Sequence, residues 1–481
     1  MAKLTSLLKD TAIYGLSSIV GRFLNYLLVP LYTYVLKSCA DYGIVNDLYA
    51  QTALLLVILT FGMETTFFRF ANREGENPQS VFSTAFLMVA VVAAVFLAAV
   101  LGLIAPISAA LGYARHPEYI ELMAVIVAMD AVQAILFSLL RFQKKALKFA
   151  CFKMLFILLN CTLNVVAYVL LPHYLEDWTI TVGYTFLINL ICTSTVMLCF
   201  SKELLHCEWK FDGKYCRAML RYTWPLLILG IAGILNQVAG QLMLPRVLDK
   251  EEGRNALGIY NACVKVAMVM AIITQTFRYA YEPFVFAQTK DKDKNETYAQ
   301  GMKYFLIFTL LAFLCVVGYM PILQGFIGPQ YRAGLGIIPI VMAAEIMMGI
   351  YFNLSFWYKL IDKTIYGAWF SLTGCAVLLA INYLFIPRYG YWACAWAGFA
   401  GYGVAMVLSY VVGQMKNPIR YPLKSIAVYV LITALFFTLM QLVPEHWPVV
   451  LRLALNTLLI LAFIGHILYH DLPLKTLLKR R

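Results

Sequence analysis

Ionisable and amide side chains are scarce inside the apolar stretches of this 481-residue sequence, and the few that occur are spaced to act together. Ser18, Arg22 and Asn25 stand at i, i+4 and i+7, which on a helix puts all three on one face. Asn236, Gln237 and Gln241 make a second polar stripe. Lys265 and Arg278 are further cations within apolar sequence, and Asp130 and Glu345 are its mid-stretch carboxylates. A charge at the centre of a bilayer costs about 2.5–3.5 kcal/mol on insertion scales, so such groups face a wet cavity or a partner. Cations placed this way suit anion binding, and a carboxyl held there can exchange a proton in a useful range. The competing reading is structural, with the amides as interhelical hydrogen bonds and Asp130 and Glu345 as static pairs with Arg22 or Lys265. For Arg22 the cavity is favoured. For the amides and the carboxylates both readings stand.

Other groups are less suited to a common site. Lys265 and Arg278 are thirteen residues apart, about 220° on a straight helix, and so point to nearly opposite faces. Arg278 is nearer the cytoplasmic end and can snorkel. Glu64 and Arg69 mark the end of one apolar stretch. Glu282-Pro283 marks that of another, where the proline makes either a hinge or a helix end. His466 and His470 are at i and i+4 with only Asp471 within a turn, and read as an interfacial pair rather than metal ligands. The eleven cysteines have no CxxC spacing and read as small apolar residues. No metal and no cofactor is expected.

The elements that position these groups are membrane spans. Apolar residues make up 62% of the chain and charged residues 13%, against about 25% charged in soluble domains. The apolar residues come in blocks long enough to cross a hydrocarbon core of ~30 Å at ~1.5 Å per residue. Fourteen blocks are predicted: 11–36, 43–70, 81–107, 118–140, 149–172, 178–200, 222–245, 256–286, 301–323, 333–358, 364–386, 390–414, 424–443 and 447–470. The first block is too long for the apolar core of a signal peptide and is expected to stay in the membrane. The fold class is therefore an all-α polytopic membrane protein.

A net charge of +13 could suggest nucleic acid, but its distribution does not. One set of alternate connections carries 27 Lys and Arg, and the other eight. That asymmetry is the positive-inside pattern. It places both termini in the cytoplasm, which requires an even number of spans. Lys153 is among the 27.

A shift of 215 residues brings Pro30 onto Pro245, Gly43 onto Gly258, Ile44 onto Ile259 and Asn46 onto Asn261, so Pro-x12-Gly-Ile-x-Asn occurs twice. The same shift pairs Arg22 with Gln237, Asp130 with Glu345, Pro172 with Pro387 and Gly183 with Gly398. Six spans separate the copies, so the halves share one orientation, a parallel repeat about an axis along the membrane normal. The expected domains are an N-lobe over 1–210 (spans 1–6), a C-lobe over 211–415 (spans 7–12), and two further helices with a cytoplasmic tail over 416–481. Such a plan commonly places a substrate between lobes.

These residues carry a resemblance. The opening Thr11-Ala-Ile-Tyr-Gly-Leu-Ser-Ser-Ile-Val-Gly-Arg-Phe-Leu-Asn25, then Asp41-Tyr-Gly-Ile-Val-Asn46 and Phe61-Gly-Met-Glu-Thr-Thr-Phe-Phe-Arg-Phe70, fall at the first two spans. Phe277-Arg-Tyr-Ala-Tyr-Glu-Pro-Phe284 and Asn382-Tyr-Leu-Phe-Ile-Pro387 fall at spans 8 and 11. In this order the chain resembles the oligosaccharide-lipid flippases (Wzx type) of the multidrug/oligosaccharidyl-lipid/polysaccharide exporter superfamily. The resemblance implies a two-lobed, alternating-access transporter of the bacterial inner membrane. Its substrate would be a polyprenyl-diphosphate-linked oligosaccharide, flipped from the cytoplasmic to the periplasmic leaflet. Arg22 and Lys265 fit that substrate as anion binders, and with Asn25, Gln237, Gln241 and Arg278 they make up the candidate substrate-binding cavity. Ion coupling is implied too, with Asp130, Glu345, Glu64 and Glu282 as candidates for coupling or charge pairing. The expected partners are that lipid-linked oligosaccharide and membrane lipids, with a glycan polymerase and assembly proteins as possible associates, and the expected state is a monomer.

Drug-exporting relatives bind cations through acidic clusters, whereas the first span here carries Arg22 and no mid-span acid. A peptidoglycan-precursor flippase or a drug exporter on the same fold remains the alternative. A membrane-embedded glycan polymerase is remote, because the expected outer loops are only about five to ten residues and no GxxxxGK[ST] motif occurs.

Overall fold

The computed structural model of the protein describes residues 26–73, 77–175, 177–205, 207, 209–287, 294–361, 363–444 and 446–471. Among these residues there is no strand. The principal helices are α1 (Leu28–Val35), α2 (Cys39–Thr60), α3 (Met63–Ala71), α4 (Pro78–Gly102), α5 (Pro117–Phe142), α6 (Ala146–Val165), α7 (Gly183–Cys199) and α8 (Gly213–Val247). They continue as α9 (Lys250–Ala267), α10 (Val269–Ala287), α11 (Lys294–Gly318), α12 (Ile338–Leu354), α13 (Ile365–Tyr389), α14 (Tyr391–Lys416), α15 (Leu423–Leu442) and α16 (Val449–His470). Among the described residues, eleven helices are long and apolar enough to cross a membrane, or twelve if the bent pair α9–α10 counts as one span. The 17-residue α7 is shorter.

Local chemistry sets the ends. Ser38 and Asp41 form a capping box at the start of α2: the Asp41 N–H donates to Ser38 Oγ and the Ser38 N–H to Asp41 Oδ2, each at 3.1 Å. Asn77 caps α4 ahead of Pro78, a proline in the first turn where no N–H is needed. Phe61 and Gly62 take left-handed backbone (φ 35° and 72°) and break α2 from α3. Several helices begin earlier than the apolar blocks do. The helix α8 starts at Gly213 rather than 222, because a helix can continue through Lys214, Arg217 and Arg221 after its side chains have left the hydrocarbon.

The chain divides into two compact units. The first comprises Met1–Asn261 with Ile386–Tyr391, and the second comprises Ala262–Phe385 with Trp392–Arg481. In the first unit, rings from α3 to α7 make the core. Phe67 meets Phe82 at 5.9 Å and Phe142 at 5.5 Å, and Phe137 meets Phe200 at 5.1 Å and Phe149 at 5.2 Å, mostly edge to face. In the second unit, the buried Trp357 donates through Nε1 to the Ser409 carbonyl at 3.1 Å. Lys303 of α11 pairs with Asp471 just past α16, and Tyr429 of α15 donates to the same carboxylate. Burial raises the Asp471 carboxyl, but the Lys303 and Tyr429 bonds outweigh it and hold the group below the usual Asp range. Outward faces carry large apolar side chains, among them Val91, Val95, Leu431, Leu435 and Leu458, as a lipid-facing surface must.

One crossing in the first unit is set by two glycines. A Cβ at Gly43 would lie 1.9 Å from the Arg254 carbonyl oxygen, and one at Gly258 would lie 2.0 Å from that of Cys39. The helices α2 and α9 therefore touch backbone to backbone. The shift of 215 carries Cys39 onto Arg254 and Gly43 onto Gly258, so the two contacts exchange under it.

Candidate functional site

In the first unit, a cavity of about 410 Å³ collects charges from three helical elements. Glu64 comes from α3, Asp130, Gln133 and Arg141 from α5, and Lys153 from α6. Aromatic side chains Phe137, Phe149 and Phe156 form its apolar wall. The break at Phe61–Gly62 redirects the chain so that α3 carries Glu64 to this wall. Arg141 donates to Glu64 at 2.7 Å, and Ser138 bridges them, donating to Glu64 at 3.2 Å and accepting from Arg141 at 3.0 Å. Asp130 accepts from Thr193 of α7 at 3.4 Å, and Gln133 donates to the Thr193 carbonyl at 2.8 Å. Lys153 stands in the field of both Asp130 and Glu64, with its ammonium 4.1 Å from the centroid of Phe137. Such a cluster can hold and exchange a small cation or proton.

Lys153 takes a part that the sequence reading did not assign to it. It stands in the early turns of α6, beside the connection it is grouped with by charge, and serves as the cation facing Asp130. Its signal was in the sequence: Phe149, Lys153 and Phe156 recur at i, i+4 and i+7, one lysine on an otherwise aromatic helical stripe.

Because Arg141 and Glu64 are about two-fifths exposed, solvent screens their attraction. Arg141→Ala is expected to cost less than about 1 kcal/mol of stability. A fall in unfolding midpoint as large as that of a core deletion would show the pair to be buried in the membrane-embedded protein.

A second polar group closes the opposite end of the same unit. The carboxylate of Asp47 is 3% exposed and accepts from Arg246 at 3.0 Å, Tyr113 at 2.8 Å and Gln51 at 2.9 Å. Arg254 stacks over Tyr113 at 4.3 Å and donates to the Gly112 carbonyl at 2.9 Å. Burial first, and then Asp47, push the Tyr113 phenol well above its ordinary value, so it remains a donor. Asp47 was missed from the sequence because its position near a span end resembles a solvated turn.

The remaining candidates are dispersed. Arg22 and Asn25 lie outside the described residues, as does the Glu282 side chain. Gln237 is exposed and bonds back to the Gly233 carbonyl of its own helix at 3.5 Å, while Gln241 is half-buried on α8. Lys265 is half-buried near the end of α9, and Arg278 lies exposed on α10, 4.9 Å from the Phe352 ring. The straight helix assumed for 256–286 is corrected by a bend of 44° between them. At the bend the Met268 N–H reaches back three residues to the Lys265 carbonyl at 3.2 Å, so the azimuth computed for a straight helix does not apply. At Pro283 the helix does not end, and α10 runs through to Ala287. Glu345 on α12 is half-buried and faces Tyr402 of α14.

An all-helical chain with this many apolar spans and charges gathered inside them has the architecture of a polytopic membrane protein. Residues 7–281 match the polysaccharide biosynthesis protein family, and the chain belongs to that family. A comparison with curated protein sequences gives no match. Among solved structures, the fold is similar to the lipid II flippase MurJ in its inward closed conformation, with 14% identity and a TM-score of 0.75, over 95% of this chain and 99% of that one. It is also similar to MATE in the straight conformation, with 12% identity and a TM-score of 0.57, over 88% of this chain and 96% of that one. A MOP superfamily transporter from Pyrococcus furiosus shares 13% identity and a TM-score of 0.57, over the same shares of the two chains. At these identities the likeness defines the fold.

Proposed function

We propose that the protein is a transporter, not an enzyme, and that it flips a polyprenyl-diphosphate-linked oligosaccharide from the cytoplasmic to the periplasmic leaflet of a bacterial inner membrane. The observation that carries this reading is the match to the polysaccharide biosynthesis family over more than half of the chain. In this reading the chain has fourteen spans in two six-helix lobes related by the parallel repeat, plus two C-terminal helices, with both termini cytoplasmic. The reciprocal Gly43 and Gly258 contacts support that repeat. Arg22 and Lys265 serve as anion binders for the diphosphate, with Asn25, Gln237, Gln241 and Arg278 as further substrate-binding residues. The Glu64, Asp130 and Lys153 cluster couples transport to an ion gradient, and Glu345 is its repeat-related counterpart. The chain works as a monomer beside a glycan polymerase.

A deletion strain should lose its surface glycan while lipid-linked units accumulate inside. Wild type should restore the glycan on gels, and Arg22→Ala and Lys265→Ala should not, at equal membrane levels. Normal surface glycan in the deletion strain would end this reading, and rescue by both alanine forms would remove the site assignment alone.

The likeness to the lipid II flippase over 95% of the chain favours a second reading, in which the cargo is a peptidoglycan precursor. Depletion would then stop growth with precursor accumulated on the inner leaflet.

A further inference from the structure

Within the second unit, Arg452 and Asn456 stand at i and i+4 on α16 and line a cavity of about 510 Å³. It lies at the end of α16 away from Asp471. Gln324, past α11, and Gln441, at the end of α15, also line it, with Met320 and Pro339 as apolar wall. The volume is that of a small-molecule site.

Two of its groups lack their complement. Asn456 is 5% exposed, and its Nδ2 donates to the Gly318 carbonyl at 2.8 Å. Its Oδ1 is buried and has no donor among the described residues. A buried acceptor left alone is costly, so such an atom marks where a donor arrives from outside the chain. The Arg452 guanidinium, one turn away, meets no carboxylate among the described residues. A fixed cation beside an acceptor that wants a hydroxyl selects an anion bearing hydroxyl groups. Neither an aliphatic tail nor a simple cation meets both demands.

We propose that this cavity binds a phosphate ester carrying free hydroxyls. The phosphate pairs with the Arg452 fork, a hydroxyl donates to Asn456 Oδ1, and the amides of Gln324 and Gln441 take the remaining oxygens. By the charge asymmetry of the connections, this end of α16 faces the outer leaflet. Two molecules there share the chemistry: a phosphoglycerol lipid headgroup and a saccharide on a polyprenyl diphosphate. The site is separate from the charges assigned to transport and does not depend on them.

Native mass spectrometry of the full chain in detergent, titrated with phosphatidylglycerol, phosphatidylcholine or polyprenyl-diphosphate N-acetylglucosamine, tests this. Wild type should hold one or both of the hydroxylated phosphates at least about tenfold more tightly than phosphatidylcholine. Arg452→Gln should lose about tenfold in that affinity, the effect of one charged hydrogen-bonding pair. Arg452→Lys, which keeps the charge without the fork, should lose less. Equal unfolding midpoints keep the comparison free of folding defects. Retention of phosphatidylglycerol through Arg452 supports the site and assigns it to membrane lipid, and retention of the saccharide lipid supports it and assigns it to the cargo class. Equal binding of all three lipids, or binding unchanged in Arg452→Gln, overturns it.

Discussion

Valine at Gly43 or at Gly258 will remove most folded protein from the membrane. The added carbon would lie 1.9 Å from the Arg254 carbonyl oxygen in the first case and 2.0 Å from the Cys39 carbonyl oxygen in the second. Overpacking typically costs about 1–3 kcal/mol when side chains can yield. Here the obstructing atoms are main chain, so α2 and α9 must move apart as bodies, and the cost exceeds that range. Alanine should give an intermediate loss, since its Cβ already clashes. Gly102 provides the control, because a Cβ there meets nothing within 4 Å and Gly102→Val should express normally. Size-exclusion profiles and unfolding midpoints of tagged protein measure the effect. A monodisperse valine form with a wild-type midpoint would refute the close crossing. Because the two contacts exchange under the 215-residue shift, Gly43 and Gly258 should respond alike.

The second large effect belongs to Arg246→Leu. It strips the cation from Asp47, whose side chain is only 3% exposed, and leaves a carboxylate with two neutral donors, Tyr113 and Gln51. Breaking a buried pair from one side costs about 3–5 kcal/mol. Arg246 is 40% exposed, so water replaces part of the lost interaction and about 2–3 kcal/mol is expected. Asp47→Asn in the same chain removes the stranded charge, and the double form should regain more than half of the loss. Midpoints from the four forms make a double-mutant cycle. Additive losses would show that Asp47 and Arg246 do not interact in the membrane-embedded protein.

The family was legible in the motifs, and the match over residues 7–281 covers those at the first two spans and the start of the one at span 8. Helix positions among the described residues were largely legible as well, though neither the break at Phe61–Gly62 inside the block 43–70 nor the bend in the stretch 256–286 was. No proline or glycine stands at Met268 to announce that bend. Asp130 was legible as an intramembrane acid, but its neighbour was not. Lys153 stands early in an apolar block, and that axial position does not say which way its side chain turns.

The sequence by itself determined that this is a helical chain built of membrane spans, and which residues carry charge within them. These are local properties, because in hydrocarbon each span must satisfy its own backbone hydrogen bonds and so declares itself in its own composition. Only the tertiary structure decided which charges meet. Lys153 faces Asp130 and Glu64, Arg246 reaches Asp47 across 199 residues, and Asn456, at the wall of a cavity, keeps a buried oxygen without a partner among the described residues. Those meetings depend on the rotation and tilt of each helix, which packing against distant neighbours sets and no pattern within one span encodes.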